Sequence, residues 1–418
     1  MNYQQAQIES ERCLQCVDSP CTDACPTHID IPKFIGMIRS GNVIGAAEVV
    51  KTSNALSNTC GKICPEEVFC QSACTRAKQD SPILIRELHF YATQTEKRKG
   101  FSKTKLFPTT DGAVAVIGAG PAGLSCAFEL IKLGYKVNVY EKGTIGGVPR
   151  NSIPSFRLSN EELESDIQFL SRFFKPKKED VNKRLFDEIK HHHRAVFLAI
   201  GLGSDRPVGI AGERLKGVHP VLQFLHKAKS APAEMATGNR VVIIGGGNVS
   251  LDAAASAKRL GAENVVLIYR RGENEMRVWK SELNEARKQG VEIRFLTTPV
   301  AIVGKSDVTG VMCRQTRLAE ETDASGRRKP VEVKGSDFLI DADMVIVAIG
   351  QMVGADWLED FAKTENGYIK VNKSFQTSVS GVFAGGDMVA GEGTIVQSVA
   401  QGKQAAHTIH EYLSKKQR

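Results

Sequence analysis

Two strand–glycine loop–helix–strand units, preceded by a stretch crowded with cysteine, predict an α/β protein. It should begin with a small helical domain built around metal and continue into two nested Rossmann-like domains. Eight of the ten cysteines fall before residue 75, and the two glycine loops open at Gly118 and Gly245.

The cysteine run reads Cys13-x2-Cys16-x4-Cys21-x3-Cys25-Pro26, then, after a cysteine-free stretch, Cys60-x3-Cys64-Pro65-x4-Cys70-x3-Cys74. Thiolates grouped this way suit two [4Fe–4S] clusters, on the pattern in which three nearby cysteines hold one cluster and a fourth crosses to the other. Zinc competes, because paired cysteines two to four residues apart also build structural zinc sites. The three-residue spacings and the Cys-Pro steps favour clusters. Disulfides are the weakest reading. Met1-Asn2-Tyr3-Gln4-Gln5 has neither a basic nor an apolar leader, so the expected address is the cytoplasm, where thiols stay reduced.

Between the two cysteine groups Ile31, Phe34, Ile35 and Ile38 recur at i, i+3, i+4 and i+7, which predicts a helix from Pro32 to near Gly41. Helices are also expected over Val43 to Lys51 and Ile85 to Gln94. Such short helices bury little, so the clusters should be the main cross-links of this domain. The basic run from Glu96 to Gly100, continuing through Pro108-Thr109-Thr110, reads as a linker.

At 418 residues the chain can hold two to four domains. Its 42% hydrophobic and 24% charged residues are ordinary for a globular protein. A net charge of +8, with both signs interspersed, calls for no nucleic acid. The most apolar stretch, Ala113 to Ile131, is broken by Gly118, Gly120, Pro121 and Gly123, so no membrane helix is expected.

Val114 to Ile117 leads into Gly118-Ala119-Gly120-Pro121-Ala122-Gly123, then a helix over Leu124 to Leu133 and a strand over Lys136 to Tyr140 ending at Glu141. This is the dinucleotide fingerprint in its required context: a tight turn, close backbone approach to a pyrophosphate, helix packing on strand, and an acid for ribose hydroxyls. The pattern recurs as Val241 to Ile244, Gly245-Gly246-Gly247-Asn248-Val249-Ser250, a helix through Leu260 and a strand over Val265 to Tyr269. Ser250 replaces the third glycine, which should loosen helix–strand packing. Arg270-Arg271 stand where an acid would sit, and guanidinium groups there suit a 2′-phosphate and NADPH over NADH; a solvated basic turn is the plain alternative.

Two fingerprints imply two dinucleotides, FAD and NAD(P)H, with the nicotinamide domain inserted into the flavin domain. Val196 to Gly201 and Val345 to Gly350 are near-identical strand-to-glycine segments, one near the exit of each unit. Gly381 to Asp387 has the form of a late flavin motif whose Asp387, after Gly385, binds the ribityl chain, and Gly391 to Gln404 should be the closing helix. Gly147, Arg157 and Thr394 complete the expected flavin set, and Gly350 the nicotinamide set. The expected boundaries are 1–110 for the helical domain and linker, 111–236 and 345–418 for the flavin domain, and 237–344 for the NAD(P)H domain.

After Gly118 only Cys126 and Cys313 remain, far apart, so the redox-active thiol pair of a flavin disulfide reductase is missing and both should be core residues. His191-His192-His193 cannot all face one point and reads as a polar loop before a strand.

The whole pattern, from Arg12 to about Leu413, resembles the iron–sulfur flavoproteins that include the small subunit of bacterial glutamate synthase and the N-terminal half of dihydropyrimidine dehydrogenase. Asp18-Ser19-Pro20-Cys21, Asn54-Ala55-Leu56, Gln71 to Ala77 and Ile153 to Leu158 are most similar to the NAD(P)H-oxidising subunits of bacterial dihydropyrimidine dehydrogenases. Glutamate synthase small subunits share the architecture and most motifs. The resemblance implies interleaved clusters, Cys13, Cys16, Cys21 and Cys74 on one, and Cys25, Cys64 and Cys70 on the other with a non-cysteine fourth ligand. His89 falls at the position of that ligand, which is Gln or Glu in the family. Glu87 and Cys60 are its rivals, and Cys60 is otherwise left over. The implied activity is hydride transfer from NAD(P)H to FAD, then single-electron transfer through the clusters to an FMN- and iron–sulfur-containing partner subunit that interconverts uracil or thymine and their dihydro forms. A redox sensor or cluster carrier without turnover is the alternative of a different class.

Overall fold

Six helices open the chain: α1 (Tyr3–Glu11), α2 (Pro20–Asp23), α3 (Ile31–Arg39), α4 (Val43–Ser53), α5 (Ser57–Ile63) and α6 (Ile85–Lys99). The computed structural model describes residues 1–418 apart from 102–103, 105, 109–111, 236, 324, 359–360, 362, 365–366 and 416–418. Asn2, Asp30 and Asn42 cap α1, α3 and α4 by accepting from the backbone N–H groups of Gln5, Lys33 and Gly45. The apolar faces of these helices meet in a core that includes Ile31, Phe34, Ile35, Ile38, Val43, Val50, Ile85 and Leu88. At roughly 1.5–3 kcal/mol for each large side chain buried, this core corrects the expectation that such short helices bury little. Neither α1 nor α5 was legible in the sequence. Only Ala6, Glu9 and Ser10 are buried on α1, and α5 is capped by a residue more than a hundred positions away, as described below.

The linker is also corrected. α6 continues through Lys99, and Glu96, which reads as part of a solvated charge run, is fully buried against Lys51 of α4. The chain leaves the helix at Gly100, where φ is +92°. Several of the following residues, including the expected boundary at 110, lie outside the described residues.

The rest of the chain alternates strand and helix: β1 (Ala113–Ile117), α7 (Pro121–Lys132), β2 (Lys136–Glu141), α8 (Val148–Asn151), α9 (Asn160–Leu170), β3 (Lys177–Lys178), α10 (Lys183–His192), β4 (Ala195–Leu198), β5 (Gly203–Asp205), β6 (Val218–Pro220), α11 (Val221–Ser230), β7 (Arg240–Ile244), α12 (Asn248–Arg259), β8 (Asn264–Ile268), α13 (Lys280–Lys288) and β9 (Val291–Arg294). Three long or paired strands follow, β10 (Thr297–Gly304), β11 (Val308–Thr322) and β12 (Arg328–Asp341), then β13 (Met344–Val347), β14 (Gln351–Val353), β15 (Val382–Ala384), α14 (Asp387–Ala390) and α15 (Ile395–Lys415).

Two units result. One comprises Met1–Arg150, Ser155–Gly203 and Val353–Arg418; the other comprises Asn151–Pro154 and Ser204–Met352. In the first unit a parallel sheet has the order β15-β4-β1-β2-β3, with Val114 opposite both Val137 and Ala195. Its inner strands β1 and β4, with β15, read as continuous apolar runs because they are buried, whereas β2 alternates and β3 is a pair of exposed lysines at the edge. α15 lies against α7 so closely that a Cβ on Gly402 would fall 2.1 Å from the Ala122 carbonyl oxygen, and the Ser125 hydroxyl donates to the Val399 carbonyl at 2.8 Å.

In the second unit a parallel sheet has the order β6-β13-β7-β8-β9, accompanied by the antiparallel sheet β10-β11-β12. The nesting therefore differs from the expected boundaries. β13 pairs with β7 and β6, so Val345 to Val347 belong to the inserted unit, as do β6 and α11. The two near-identical segments each close their own sheet, β4 beside β1 and β13 beside β7, and nothing in their shared sequence says which.

Two smaller corrections follow. His191 and His192 end α10 instead of forming a loop, and His193 bonds back to the Ile189 carbonyl at 2.7 Å and to Asn138 at 2.8 Å. Histidines in a last turn suit the negative end of a helix. The closing helix α15 begins at Ile395, not Gly391, and runs eleven residues past Gln404 to Lys415.

Candidate functional site

The first glycine loop joins β1 to α7, and each glycine has a distinct reason. Gly118 has φ +103°, and a Cβ there would lie 2.3 Å from the Ala199 carbonyl oxygen. At Gly123 a Cβ would meet the Gly118 carbonyl oxygen at 1.9 Å. A Cβ on Gly120 would meet only Gly147 Cα, at 3.8 Å, so this glycine leaves an open cradle at the start of α7, where Pro121 and Ala122 supply the first turn. Gly147 folds back over the loop with φ +60°, and the Gly146 N–H donates to the Ala119 carbonyl at 2.9 Å. Glu141, at the end of β2, accepts from the Ala119 and Gly143 N–H groups at 2.7 and 2.8 Å. The loop, the acid and Gly147 therefore converge, and the open N–H groups of a helix start are what a pyrophosphate requires.

The late motif reaches the same place. Gly386 has φ +78°, and a Cβ there would lie 3.0 Å from Ala122 Cβ. Asp387 accepts from the Ser398 hydroxyl at 3.0 Å, and burial pushes its carboxyl pKa up to about 6. Thr394 caps α15 by accepting from Gln397 N–H through its hydroxyl at 3.3 Å. Gln401, which sequence reasoning missed, accepts from the Gly386 N–H at 2.7 Å. Arg157 lies half-buried in the connection between α8 and α9.

The second loop, in the other unit, repeats the first at atomic detail. Gly245 has φ +154°, and its Cβ would lie 2.1 Å from the Ala348 carbonyl oxygen, as Gly118 lies against Ala199. The duplicated Ala-Ile-Gly segments therefore do one job twice, and Gly350, with φ +113°, ends the second copy. Gly246 faces the Tyr269 ring, Gly247 precedes α12, and Asn248 and Val249 form its first turn. Ser250 is fully buried and donates to the Gly247 carbonyl at 2.5 Å. Asn248 also accepts from the Trp279 N–H at 3.2 Å.

The arginine pair is split. Arg270 is exposed, whereas Arg271 is 3% exposed, pairs with Asp323 at 2.5 Å and donates to the Arg328 carbonyl at 3.0 Å. The expectation that both would face a phosphate is corrected for Arg271, whose guanidinium is spent inside the fold. Arg277, missed in sequence, has its backbone bridged to Gly247.

Cys13, Cys16, Cys21 and Cys74 line one concave space together with Leu14, Ile31, Ile35 and Ile83. Burial, and then the charges of Cys13 and Cys74, push the Cys21 thiol up to about 12. Cys64 and Cys70 are also pushed up, first by burial and then by neighbouring thiols that include Cys25. Cys60, 2% exposed, lies in the same group and is pushed up to about 12 by burial. A bound cationic metal offsets this burial by favouring the thiolate. Among the described residues no three His, Cys, Asp or Glu side chains converge closely enough for a single metal ion. Four thiols spread around one space, with no three close enough for a single ion among the described residues, suit a [4Fe–4S] cube, which spaces its ligands apart, more than zinc.

His89 projects from α6 beside α5. Its ring centroid is 6.2 Å from that of Phe34, and its Cδ2 would lie 3.3 Å from a Cβ on Gly61, next to Cys60. The ring is 6% exposed, Nε2 is buried with no hydrogen-bond partner, and burial lowers its pKa to about 4, leaving the neutral imidazole that binds metal. Glu87 is exposed on the same helix.

Asp166 of α9 links this region to the flavin-type fold within the same unit. Its carboxylate accepts from Asn58 and Thr59 N–H at 2.9 and 2.7 Å, capping α5, which leads directly into Cys64. All ten cysteines are free, and Cys126 and Cys313 are fully buried, one in each unit.

Residues 112–406 match the family model for pyridine nucleotide-disulphide oxidoreductases, and residues 1–101 match that for the 4Fe-4S cluster domain II of dihydropyrimidine dehydrogenase. The chain belongs to the pyridine nucleotide-disulphide oxidoreductases. Within that family it is an iron–sulfur flavoprotein, with FAD, NAD(P)H and [4Fe–4S] iron as its cofactors. It is 36% identical over 409 residues to the NAD-dependent dihydropyrimidine dehydrogenase subunit PreT of Escherichia coli, covering 97% of this chain and 93% of that one. It is 35% identical over 431 residues to the small chain of NADPH glutamate synthase of Halomonas elongata, covering 98% and 91%. To the beta subunit of NADP(+)-dependent formate dehydrogenase of Moorella thermoacetica it is 35% identical over 430 residues, covering 95% of this chain but 60% of that subunit's length. Among solved structures, Mycobacterium tuberculosis FprA in complex with NADPH shares the fold, with a TM-score of 0.64 at 20% identity over 74% of this chain and 86% of that one. No helix among the described residues is long and apolar enough to cross a membrane.

Proposed function

We propose that this chain is the electron-input subunit of a dihydropyrimidine dehydrogenase. In this reading it oxidises NAD(P)H and passes single electrons through two [4Fe–4S] clusters to a partner subunit. That partner holds FMN and iron–sulfur and interconverts uracil or thymine and their 5,6-dihydro forms. The observation that carries the electron route is the distribution of thiols. Beyond residue 74 there are only the buried singles Cys126 and Cys313, whereas eight thiols gather before it and four of them, Cys13, Cys16, Cys21 and Cys74, line one cavity. When bound, the flavin accepts a hydride from the nicotinamide and divides its two electrons between one-electron carriers.

The chain's residues bind and orient. Gly118, Gly120, Gly123 and Glu141 hold the pyrophosphate and ribose of FAD, Asp387 accepts from its ribityl hydroxyls, and Thr394 fixes the start of α15. Gly245, Gly247 and Asn248 take the NAD(P)H pyrophosphate. Cys13, Cys16, Cys21 and Cys74 hold one cluster, and Cys25, Cys64, Cys70 and His89 the other. The orphaned, buried Nε2 of His89 supports it over exposed Glu87 as the eighth ligand. A neutral imidazole in place of a thiolate makes a cluster easier to reduce. EPR-monitored redox titration of wild type and His89→Ala tests this, and identical spectra and midpoint potentials would remove His89 from the ligand set.

The pyrimidine assignment rests on the dihydropyrimidine dehydrogenase description of the matched cluster domain and on the motifs around Cys21, Cys74 and Arg157. Comparable identity to a glutamate synthase small chain supports a second reading. The holoprotein co-purified with its natural partner decides between them. Uracil-dependent oxidation of NADH or NADPH is expected. Activity only with glutamine and 2-oxoglutarate would overturn the pyrimidine reading. Failure of the holoprotein to pass electrons from either coenzyme to a dye would overturn electron input altogether and favour a sensor or carrier.

A further inference from the structure

The helix that closes the flavin-type fold also reaches the cysteine-rich helices of the same unit. Along α15 the Ser398 hydroxyl donates to Asp387, and Gln401 accepts from the Gly386 N–H, so its first turns are tied to the late flavin motif. Two residues further on, the Lys403 Nζ donates to the Thr27 carbonyl at 3.2 Å and to the Ser53 carbonyl at 3.3 Å. Ser53 ends α4, and its carbonyl is one of the groups that a helix C-terminus leaves without an intrahelical partner. Thr27 stands two residues after Cys25, and its hydroxyl lies 3.4 Å from the Cys25 sulfur. A lysine fixed on the flavin side therefore grips the segment that carries a cluster thiol.

The charge of Lys403 is not balanced by a carboxylate. Among the described residues none is in ion-pair contact with it. Glu129 of α7 is paired instead with Lys132 at 2.8 Å, and Lys132 in turn donates to the Thr52 carbonyl at 2.9 Å. Burial lowers the Lys403 pKa, while the charges of Glu129 and Cys25 act to raise it and that of Lys132 to lower it. Carbonyl dipoles at a helix end favour a cation but do not neutralise one. A half-buried cation without a counter-ion is unfavourable unless an anion stands near it. A [4Fe–4S] group held by Cys25, Cys64 and Cys70 would supply that anion, and one-electron transfer from the flavin adds a further unit of negative charge there.

We propose that Lys403 is a positioning residue for electron transfer from flavin to cluster. Its ammonium holds the Cys25–Thr27 segment against α15 and raises the midpoint potential of the cluster bound by Cys25, Cys64 and Cys70. One electron leaves the reduced flavin and enters the cluster, and Lys403 exchanges neither proton nor bond. The cation favours the reduced state because its attraction grows with the added negative charge. The inference rests on the reading that those three thiols hold a cluster.

The holoprotein and its variants are titrated with dithionite and followed by EPR, with iron counted in each. Cys64→Ser should lose about half its iron, and the signal it lacks identifies the cluster in question. Lys403→Gln keeps a donor for the two carbonyls but no charge, and Lys403→Met keeps neither. In both, that cluster should become about tenfold harder to reduce, a fall of about 59 mV for one electron, while the other cluster moves by less than about a third as much. Lys403→Arg, which keeps the charge, should stay within about twofold of wild type in the same equilibrium. Unchanged potentials in Lys403→Gln and Lys403→Met, equal shifts in both clusters, or a fall in Lys403→Arg as large as in Lys403→Gln would overturn the electrostatic role. A fall in Lys403→Met that Lys403→Gln does not share would do the same, by assigning the effect to the hydrogen bonds. Loss of iron from both uncharged variants would leave Lys403 a structural tie alone and overturn it as well. Full iron in Cys64→Ser would instead overturn the ligand reading on which the inference stands.

Discussion

Lys51 and Glu96 form an ion pair that is almost without solvent, with side-chain exposures of 7% and 0%. The ammonium also lies 4.1 Å from the Phe101 ring centroid and 4.2 Å from that of Phe169, so α4, α6 and α9 meet at one buried charge. Burial lowers the Lys51 pKa, and Glu96 acts to raise it. Removing one partner of such a pair typically costs about 3–5 kcal/mol, because the other charge stays buried alone. Two aromatic faces recover at most about 2 kcal/mol each, and Lys51 can shed its proton, which caps its loss. Glu96→Leu should therefore destabilise by about 3 kcal/mol, and Lys51→Met, which strands a carboxylate, by at least as much. The double variant replaces the pair with apolar groups of similar volume and should return to within about 1 kcal/mol of wild type. At about 2–4 °C per kcal/mol, each single variant should melt about 6–12 °C lower, and the double variant near wild type. Thermal unfolding followed by ellipticity and by iron–sulfur absorbance measures this. Single variants that melt with wild type, or a double variant as unstable as the sum of the singles, would refute the coupling.

Gly123→Ala should abolish flavin retention on gel filtration, because its Cβ would sit 1.9 Å from a backbone oxygen that cannot move without the loop. Cys16→Ser should lower bound iron by about half, whereas Cys60→Ser should leave iron content unchanged if seven cysteines and His89 hold both clusters. Asp166 is fully buried, and its carboxyl pKa is raised from 3.8 to about 6 by burial. An acid that holds its proton longer folded than unfolded contributes stability below about pH 4 that is lost as pH rises to about 6, here up to roughly 3 kcal/mol at about 1.36 kcal/mol per pKa unit. Asp166→Asn should remove that slope from urea midpoints measured between pH 4 and 7, and parallel curves for variant and wild type would argue against it.

The elements legible in the sequence were those whose cause is local. α3 follows from four apolar residues at helical spacing, and both glycine loops follow from the strand before and the helix after them. Glu96 and the histidines of α10 were misplaced because charge and polarity suggest solvent, and only a distant Lys51 or a helix end says otherwise. α5 escaped notice because its cap, Asp166, is supplied by α9.

The sequence by itself determined the chemistry: thiol spacings suited to clusters, two dinucleotide loops, and no thiol pair beside the flavin. Those are properties of residue type and short-range spacing, which the backbone cannot alter. Only the tertiary structure decided which thiols share a cavity, which sheet each repeated Val–Gly segment closes, and that Arg271 turns inward onto Asp323 while Arg270 stays exposed. These depend on contacts between segments tens to hundreds of residues apart, and their register and burial exist only once the chain has closed on itself.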